Sequence, residues 1–159
     1  MLALEKKEAA MKILWMLVFV LSAVQASWAF TARTGEQAEV GREEMIPGDL
    51  FIAGERVIVR GTVRGDLYAA GREVIMEGEV SGDAVLAGEE VTVGERGSIG
   101  QDLVFAARET SILGPVDGYA LGVGRRITVD SGIGGNARFG VGELVLGEHA
   151  HIRGGLRYH

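Results

Sequence analysis

Apolar residues recur in closely spaced pairs along the chain from about residue 48 onward. Leu67 and Ala69 form one pair, and Val74 and Met76 form the next. A period of two residues is typical of a β-strand with one buried face. A single apolar residue, Val80, follows the second pair. Each unit is therefore predicted to contain two strands of about five residues and a shorter third piece.

This unit is repeated. The segment GDLFIAG at 48–54 returns as GDLYAAG at 65–71 and as GDAVLAG at 82–88, a spacing of 17 residues. Degenerate copies begin at residues 101, 118, 135 and 154, and two of these steps lengthen to 19 residues. Both longer steps carry an insertion at the same point, VGERGSI at 93–99 and LGEHAHI at 146–152. An insertion that recurs at one point of a fixed period indicates a loop at one corner of a stacked repeat.

Aligning the copies places apolar residues above one another in five columns. One unit cannot bury its inner face alone, so the copies are expected to stack with their strands paired in parallel. The sequence thus predicts an all-β fold, a single-stranded parallel β-solenoid of about six to seven coils of 17–19 residues. The predicted core ladder contains Leu67, Val74, Met76, Val80, Val91, Val93, Ile99, Ile112, Ile127, Val129 and Ile133.

Glycine and charged residues mark the corners between strands. A glycine such as Gly71 follows the first strand in four of the units, at Gly54, Gly71, Gly88 and Gly124, and is expected to permit a corner with positive φ. The column just after these glycines reads Glu55, Arg72, Glu89, Arg108 and Arg125. Opposite charges one coil apart attract, but each exposed pair contributes at most about 1 kcal/mol. Their main effect is expected on register.

The first residues have a different character. Three lysines precede an apolar run, Ile13–Val20, and the small residues Ala26, Ser27 and Ala29 follow it. This charged, apolar, small order is typical of a secretory signal, and the run is short for a membrane span. We expect a signal peptide over residues 1–29, cut after residue 29 or 26, with translation starting at Met1 or at Met11. An uncleaved N-terminal membrane anchor is the alternative.

Residues 30–47 are predicted to be a polar linker or an N-terminal cap, and residues 48–159 to be the solenoid domain. The chain contains 25 glycines and no cysteine, so it has neither disulfides nor a thiolate metal site. Its formal net charge of −6 argues against a nucleic-acid partner. The expected location is exported: periplasm, cell envelope or extracellular.

With these repeats, the chain resembles the bactofilin, or polymer-forming cytoskeletal, family. The resemblance rests on the tandem units GDL-x-AAG-x-x-V-x-M/V and on Gly78-Glu79-Val80, and it covers roughly residues 48–159. It implies a right-handed β-helix of triangular section that assembles end to end into filaments without nucleotide. Known members are mostly cytoplasmic scaffolds, whereas the signal peptide predicted here indicates an exported variant.

Two sets of polar residues could bind a metal ion. Asp49, Asp66, Asp83 and Asp102 form a column whose carboxylates could hold Ca²⁺. An aspartate after glycine at a corner more often accepts hydrogen bonds from backbone amides in an Asx-turn, and we favour that role. His149 and His151 could chelate a metal, but they lie in the looping insertion without an evident third ligand. We predict no metal site from these residues, and we predict no catalytic or cofactor site in the chain.

The C-terminal coil suggests a function. Leu156 and Tyr158 fall in core columns, and the sequence given stops at His159. An uncovered solenoid end exposes apolar core and strand edges, which favour assembly. We expect a non-catalytic envelope scaffold whose partner is a second copy of itself, meeting at Leu156 and Tyr158. The alternative is a binding module that adsorbs an envelope polysaccharide or a membrane-associated protein on a solenoid face.

Overall fold

The computed structural model describes residues 30–159, and the predicted signal peptide over 1–29 lies outside the described residues. The described part contains strands and turns only. No helix in this part is long and apolar enough to cross a membrane. The fold is the predicted β-solenoid, with all strand pairs parallel.

Eight strands stack into one sheet in the order β1-β3-β5-β7-β9-β10-β12-β14. Most span 10 or 11 residues, because each contains both of the predicted five-residue strands joined through a corner. Their bounds are β1 (Phe30–Val40), β3 (Asp49–Val59), β5 (Leu67–Met76), β7 (Ala84–Val93), β9 (Leu103–Ile112), β10 (Ala120–Val129), β12 (Ala137–Leu146) and β14 (Leu156–Tyr158).

Short two-residue strands close the third side of each coil. They form two further sheets, which Val116 connects by bridging to Ile99 and to Ile133. Their bounds are β2 (Met45–Ile46), β4 (Thr62–Val63), β6 (Glu79–Val80), β8 (Ser98–Ile99), β11 (Gly132–Ile133) and β13 (His151–Ile152).

The register agrees with the five predicted columns. Leu67 pairs with Ala84 and Met76 pairs with Val93 one coil on, and Val80 pairs with Ile99 on the third side. Every residue of the predicted core ladder is at most 1% exposed. The spacing of apolar residues is therefore what fixes which coil position faces the core.

The stack begins one coil earlier than the sequence analysis placed it. β1 pairs with β3 over its whole length, from Phe30 opposite Asp49 to Val40 opposite Val59. Residues 30–47 are thus a regular coil and not a linker, which gives eight rungs where six to seven coils were predicted. This first coil covers the core of the second.

The expectation of positive φ at the corners is wrong. No described residue, glycine or other, has a positive φ. The corner glycines are needed because the coils approach closely: a Cβ on Gly71 would lie 2.5 Å from the carbonyl oxygen of Gly54, and one on Gly88 would lie 2.6 Å from that of Gly71. Glycine is therefore required at these corners by the close approach of neighbouring backbones, and not by a left-handed backbone conformation.

Side-chain volumes compensate between neighbouring coils in the core. Phe105 and Phe139 lie two coils apart with their ring centroids 5.8 Å from each other. Gly122 occupies the inward position between them, and a Cβ there would collide with the Phe105 ring. In the same strand as Phe105, Thr110 is 2% exposed and its hydroxyl has no hydrogen-bond partner among the described residues. The interior tolerates this cost, which is about 1–3 kcal/mol for an unpaired buried polar group.

Candidate functional site

Inward residues lose their cover at the last coil. Leu146 is 49% exposed, whereas Val129, directly below it in the same column, is 0% exposed. Leu144 and Ile152 are only partly buried at the corresponding positions of their own columns. The apolar columns of the core thus reach solvent at this end.

The two residues predicted to mediate self-association lie in the last strand. Leu156 pairs with Ala137 and Tyr158 with Phe139, so both continue inward columns. Leu156 packs partly against the core, and Tyr158 is 64% exposed. Among residues 30–159, no strand pairs with the outer edge of β14. Leu144, Leu146, Ile152, Leu156 and Tyr158 are called the open end below.

Within residues 30–159, the first coil differs from the last. Its inward positions include Thr31, opposite Leu50, and Arg33, opposite Ile52. These are polar residues in columns that are mostly apolar in later coils. The guanidinium of Arg33 donates to both carboxylate oxygens of Glu44, with Nη1 2.9 Å from Oε2, and to the carbonyl of Glu39 at 2.8 Å. The arginine therefore closes the end of the coil with charge-assisted hydrogen bonds.

This pair, called the lid below, is electrostatically coupled. The hydrogen bonds from Arg33 lower the pKa of the Glu44 carboxyl, and those same bonds raise the pKa of Arg33. The backbone amide of Gly41 also donates to Glu44, at 3.2 Å. Two apolar side chains of the first coil, Val40 and Ile46, are 0% and 4% exposed although they belong to the first described coil.

Sequence reasoning missed the lid. The signal that could have found it is the repeat register extended backward, since Ala38, Val40 and Ile46 continue three of the apolar columns. The polar Thr31 and Arg33 break the other two columns, and so hide the coil.

The aspartate column joins the coils. The carboxylate Oδ1 of Asp49 accepts from the backbone amide of Asp66 at 2.9 Å, and Asp66 accepts from the amide of Asp83 at 2.8 Å. The series continues from Asp83 to Asp102 and then to the amide of Tyr119. Aspartate as an acceptor of backbone amides was the favoured role, but the Asx-turn is wrong. The bond reaches the next coil instead of closing a local turn.

No group of three or more potential metal ligands lies together in residues 30–159. Of the two histidines considered, His149 is exposed and contacts Asp130: its backbone amide donates to Oδ1 at 2.7 Å, and its Nδ1 lies 3.2 Å from the same oxygen. The amide of His149 lowers the pKa of the Asp130 carboxyl. His151 is also exposed and begins β13. The contact between His149 and Asp130 tethers the looping insertion to the coil below.

The charged corner columns are paired in part. Arg72 contacts Glu55 at 2.9 Å, Arg56 contacts Glu73 at 2.6 Å, and Arg126 contacts Glu143 at 2.7 Å. The last two pairs belong to one column, in which Glu73, Glu90 and Glu109 lie directly above one another between Arg56 and Arg126. The attractive pairs therefore favour the register at both ends of the column, and like charges oppose it in the middle.

No protein-family model matches the chain, and the curated proteins and the solved structures contain no match to it either.

Proposed function

We propose that this chain is a non-catalytic structural protein of the cell envelope that self-associates through solenoid ends into oligomers or short polymers. It is exported, and it acts as a scaffold. The observation that carries the proposal is the open end, where Leu146 and Tyr158 are 49% and 64% exposed in columns that are buried in the central coils. Apolar surface together with a free strand edge is what parallel stacks use for assembly.

The contrast between the ends supports a specific first step. The lid presents the Arg33–Glu44 ion pair at the first coil, whereas the open end presents leucine, isoleucine and tyrosine. Apolar burial drives association of two open ends, and a charged lid gains nothing from the same contact. A two-fold dimer joined at the last coils is therefore the smallest assembly. Short polymers need a second contact.

The aspartates contribute to the structural role. Each carboxylate in the series uses Oδ1 to hold the next coil, at distances of 2.8–3.0 Å. Such bonds stiffen the stack along its axis, because each one joins two coils. A stiff rod with two different ends suits the role of a scaffold.

Adsorption of polysaccharide on a face receives less support from the ring geometry. Stacking on sugar rings needs an exposed aromatic face. Phe51 and Tyr68 stack on each other with centroids 4.3 Å apart and planes 10° apart, so each ring covers the face of the other.

The test is sedimentation of the full chain, extracted from the envelope of the expressing cell in mild detergent. We expect oligomers for the unmodified chain and folded monomers for Leu156→Lys and Tyr158→Lys, because a charge at either position opposes burial of the end. The matched control is Thr128→Lys, at an outward strand position two coils earlier, which should leave the oligomers intact. Circular dichroism confirms folding. A monomeric unmodified chain at high concentration contradicts the proposal.

A further inference from the structure

One side of the solenoid is apolar on its outside. The outward positions of the first strand half form two parallel rows along the axis, which together we call the lateral face. The first row is Phe51, Tyr68, Val85, Val104 and Leu121, and the second is Ala53, Ala70, Ala87, Ala106 and Val123. The Tyr68 hydroxyl is its only polar side-chain group.

The other outer sides are more polar in the same coils. The outward column of the second strand half is apolar in the first two of these coils, at Ile58 and Ile75, and polar in the next three, at Thr92, Ser111 and Thr128. The third side carries Thr62, Glu79 and Ser98. An exposed strand face is ordinarily polar, and a contiguous apolar patch on a protein surface marks an interaction site. The lateral face therefore needs a partner.

The two rows differ in height. Large side chains make the first row a ridge, in which the rings of Phe51 and Tyr68 stack, and Phe30 extends the stack with its centroid 4.7 Å from that of Phe51. The second row is mostly alanine and forms a shallow groove beside the ridge, with Ala70, Ala87 and Ala106 exposed. A ridge beside a groove of equal length is self-complementary in shape.

Charges border the lateral face on both sides. Next to the ridge lies the aspartate column, Asp49 to Asp102, and next to the groove lies the corner column. That corner column carries three arginines, Arg72, Arg108 and Arg125, and two glutamates, Glu55 and Glu89. One border is therefore uniformly acidic and the other has a basic excess.

We propose that the lateral face binds the lateral face of a second copy of this chain, side by side, with the two solenoid axes parallel. A two-fold axis along the solenoid places the ridge of each copy over the groove of the other. The same rotation places the acidic border of each copy over the corner column of the other, so Asp66 lies opposite the partner copy's Arg72. Asp102 likewise lies opposite the partner copy's Arg108, whereas Asp49 and Asp83 face its Glu55 and Glu89, so the charges attract in two coils and repel in two. The arrangement therefore rests on the fit of ridge into groove.

The antiparallel arrangement is disfavoured for the same reasons. A two-fold axis across the solenoid places ridge on ridge and the aspartate column on itself. Like charges facing each other at an interface are unfavourable.

The parallel contact is nevertheless small, because five coils at about 4.8 Å each extend only about 24 Å. It falls well below the roughly 800 Å² per partner of a standard interface, so it belongs to the weak, transient class.

Cross-linking in intact cells tests this contact, and the absence of cysteine from the chain makes single thiols specific. Two differently tagged full-length chains are co-expressed, one with Tyr68→Cys and the other with Ala70→Cys, and treated with a permeant bismaleimide spanning about 10 Å, the separation of packed sheets. We expect a cross-linked heterodimer. Adding Ala87→Glu to both chains should abolish it, because a carboxylate fills the groove, whereas Thr92→Glu on another side should not.

Three results would overturn the proposal. One is a yield no higher than that of two chains carrying Thr92→Cys. Another is efficient linkage of Ala53→Cys with Val123→Cys, which only the antiparallel arrangement brings together. The third is cross-linking of these thiols to a different protein alone. Leu156→Lys should leave the heterodimer intact, so a failure of the end contact is distinguishable from a failure of the lateral contact.

Discussion

The two ends of the solenoid are built from the same columns and finished with different residues. At the first coil, two inward positions carry Thr31 and Arg33, and Arg33 bonds across to Glu44. At the last coil, the equivalent positions carry Leu156 and Tyr158, which continue the core into solvent. The same backbone can therefore present either an ion-paired polar surface or an apolar one at the edge of the described stack.

The difference lies in how each end treats a strand edge. An inward-pointing charge is one of the devices that proteins use to protect exposed β edges. Arg33 is such a charge. Its partner Glu44 lies in the loop before β2, so this ion pair reaches across the end of the first coil from one side to another. The open end has no inward charge among Leu144, Leu146, Ile152, Leu156 and Tyr158. Its surface resembles the interior of the stack.

The largest expected effect comes from placing one substitution in the same column at two heights. Met76 is 0% exposed and Leu146 is 49% exposed. Met76→Lys should lower the free energy of unfolding by about 4 kcal/mol, because it buries an unpaired charge. Leu146→Lys should change it by no more than about 0.5 kcal/mol, because that side chain can reach water. Urea denaturation of the two variants measures both values.

The association state should respond in the opposite sense. Leu146→Lys should yield a folded monomer, since it charges the open end. The contact-neutral control is Thr128→Lys. If Leu146→Lys destabilised the fold as strongly as Met76→Lys, the last coil would be covered, and the contrast between the ends would be lost.

Strand register followed directly from the sequence, because side-chain alternation leaves one face to bury. A slip of one residue at Val74 would turn Val74 and Met76 outward, so the columns determine the pairing. The number of coils did not follow, since the first coil replaces two apolar positions with Thr31 and Arg33. Only contact with Glu44, 11 residues away, explains an arginine at an inward position.

Other errors share one cause, which is that contacts between coils are invisible in a single unit. Gly71 was expected to supply positive φ, but it supplies room for the carbonyl of Gly54. Asp66 was expected to bond its own turn, but it accepts from Asp83 in the next coil. In both positions the residue type was informative. The partner could be assigned only once the coils were stacked.

A smaller effect is expected from removing the lid. Arg33→Met should cost about 1 kcal/mol of stability, since the pair is partly exposed and Glu44 can hydrate. It should also leave an apolar surface at the first coil, so that both ends can associate. Cross-linking and sedimentation should then reveal longer assemblies than those of the unmodified chain. Arg33→Lys keeps the charge and is the matched control, with assemblies of the original size.

If Arg33→Met left the assembly size unchanged, the lid would not be what limits growth at the first coil. The double variant Arg33→Met with Leu156→Lys sharpens this result. It should associate through the first coil alone, so that the contact moves from the open end to the opposite end of the stack.

The smallest expected effect is a dependence of the first coil on pH. The pKa of the Glu44 carboxyl is lowered by hydrogen bonds from Arg33, so its contribution to stability is complete above the ordinary glutamate value, about 4.3. The contribution is lost as pH falls through the lower folded pKa. Amide hydrogen exchange in β1 and β2 should therefore accelerate below about pH 4 relative to exchange in β5 and β7. Added salt should weaken the effect, because the pair is accessible to solvent.

Glu44→Gln should remove the pH dependence of the first coil and leave that of Asp130 and the last coil unchanged. Equal acceleration in all coils would show that acid acts on the stack as a whole, and that the lid does not protect its own end.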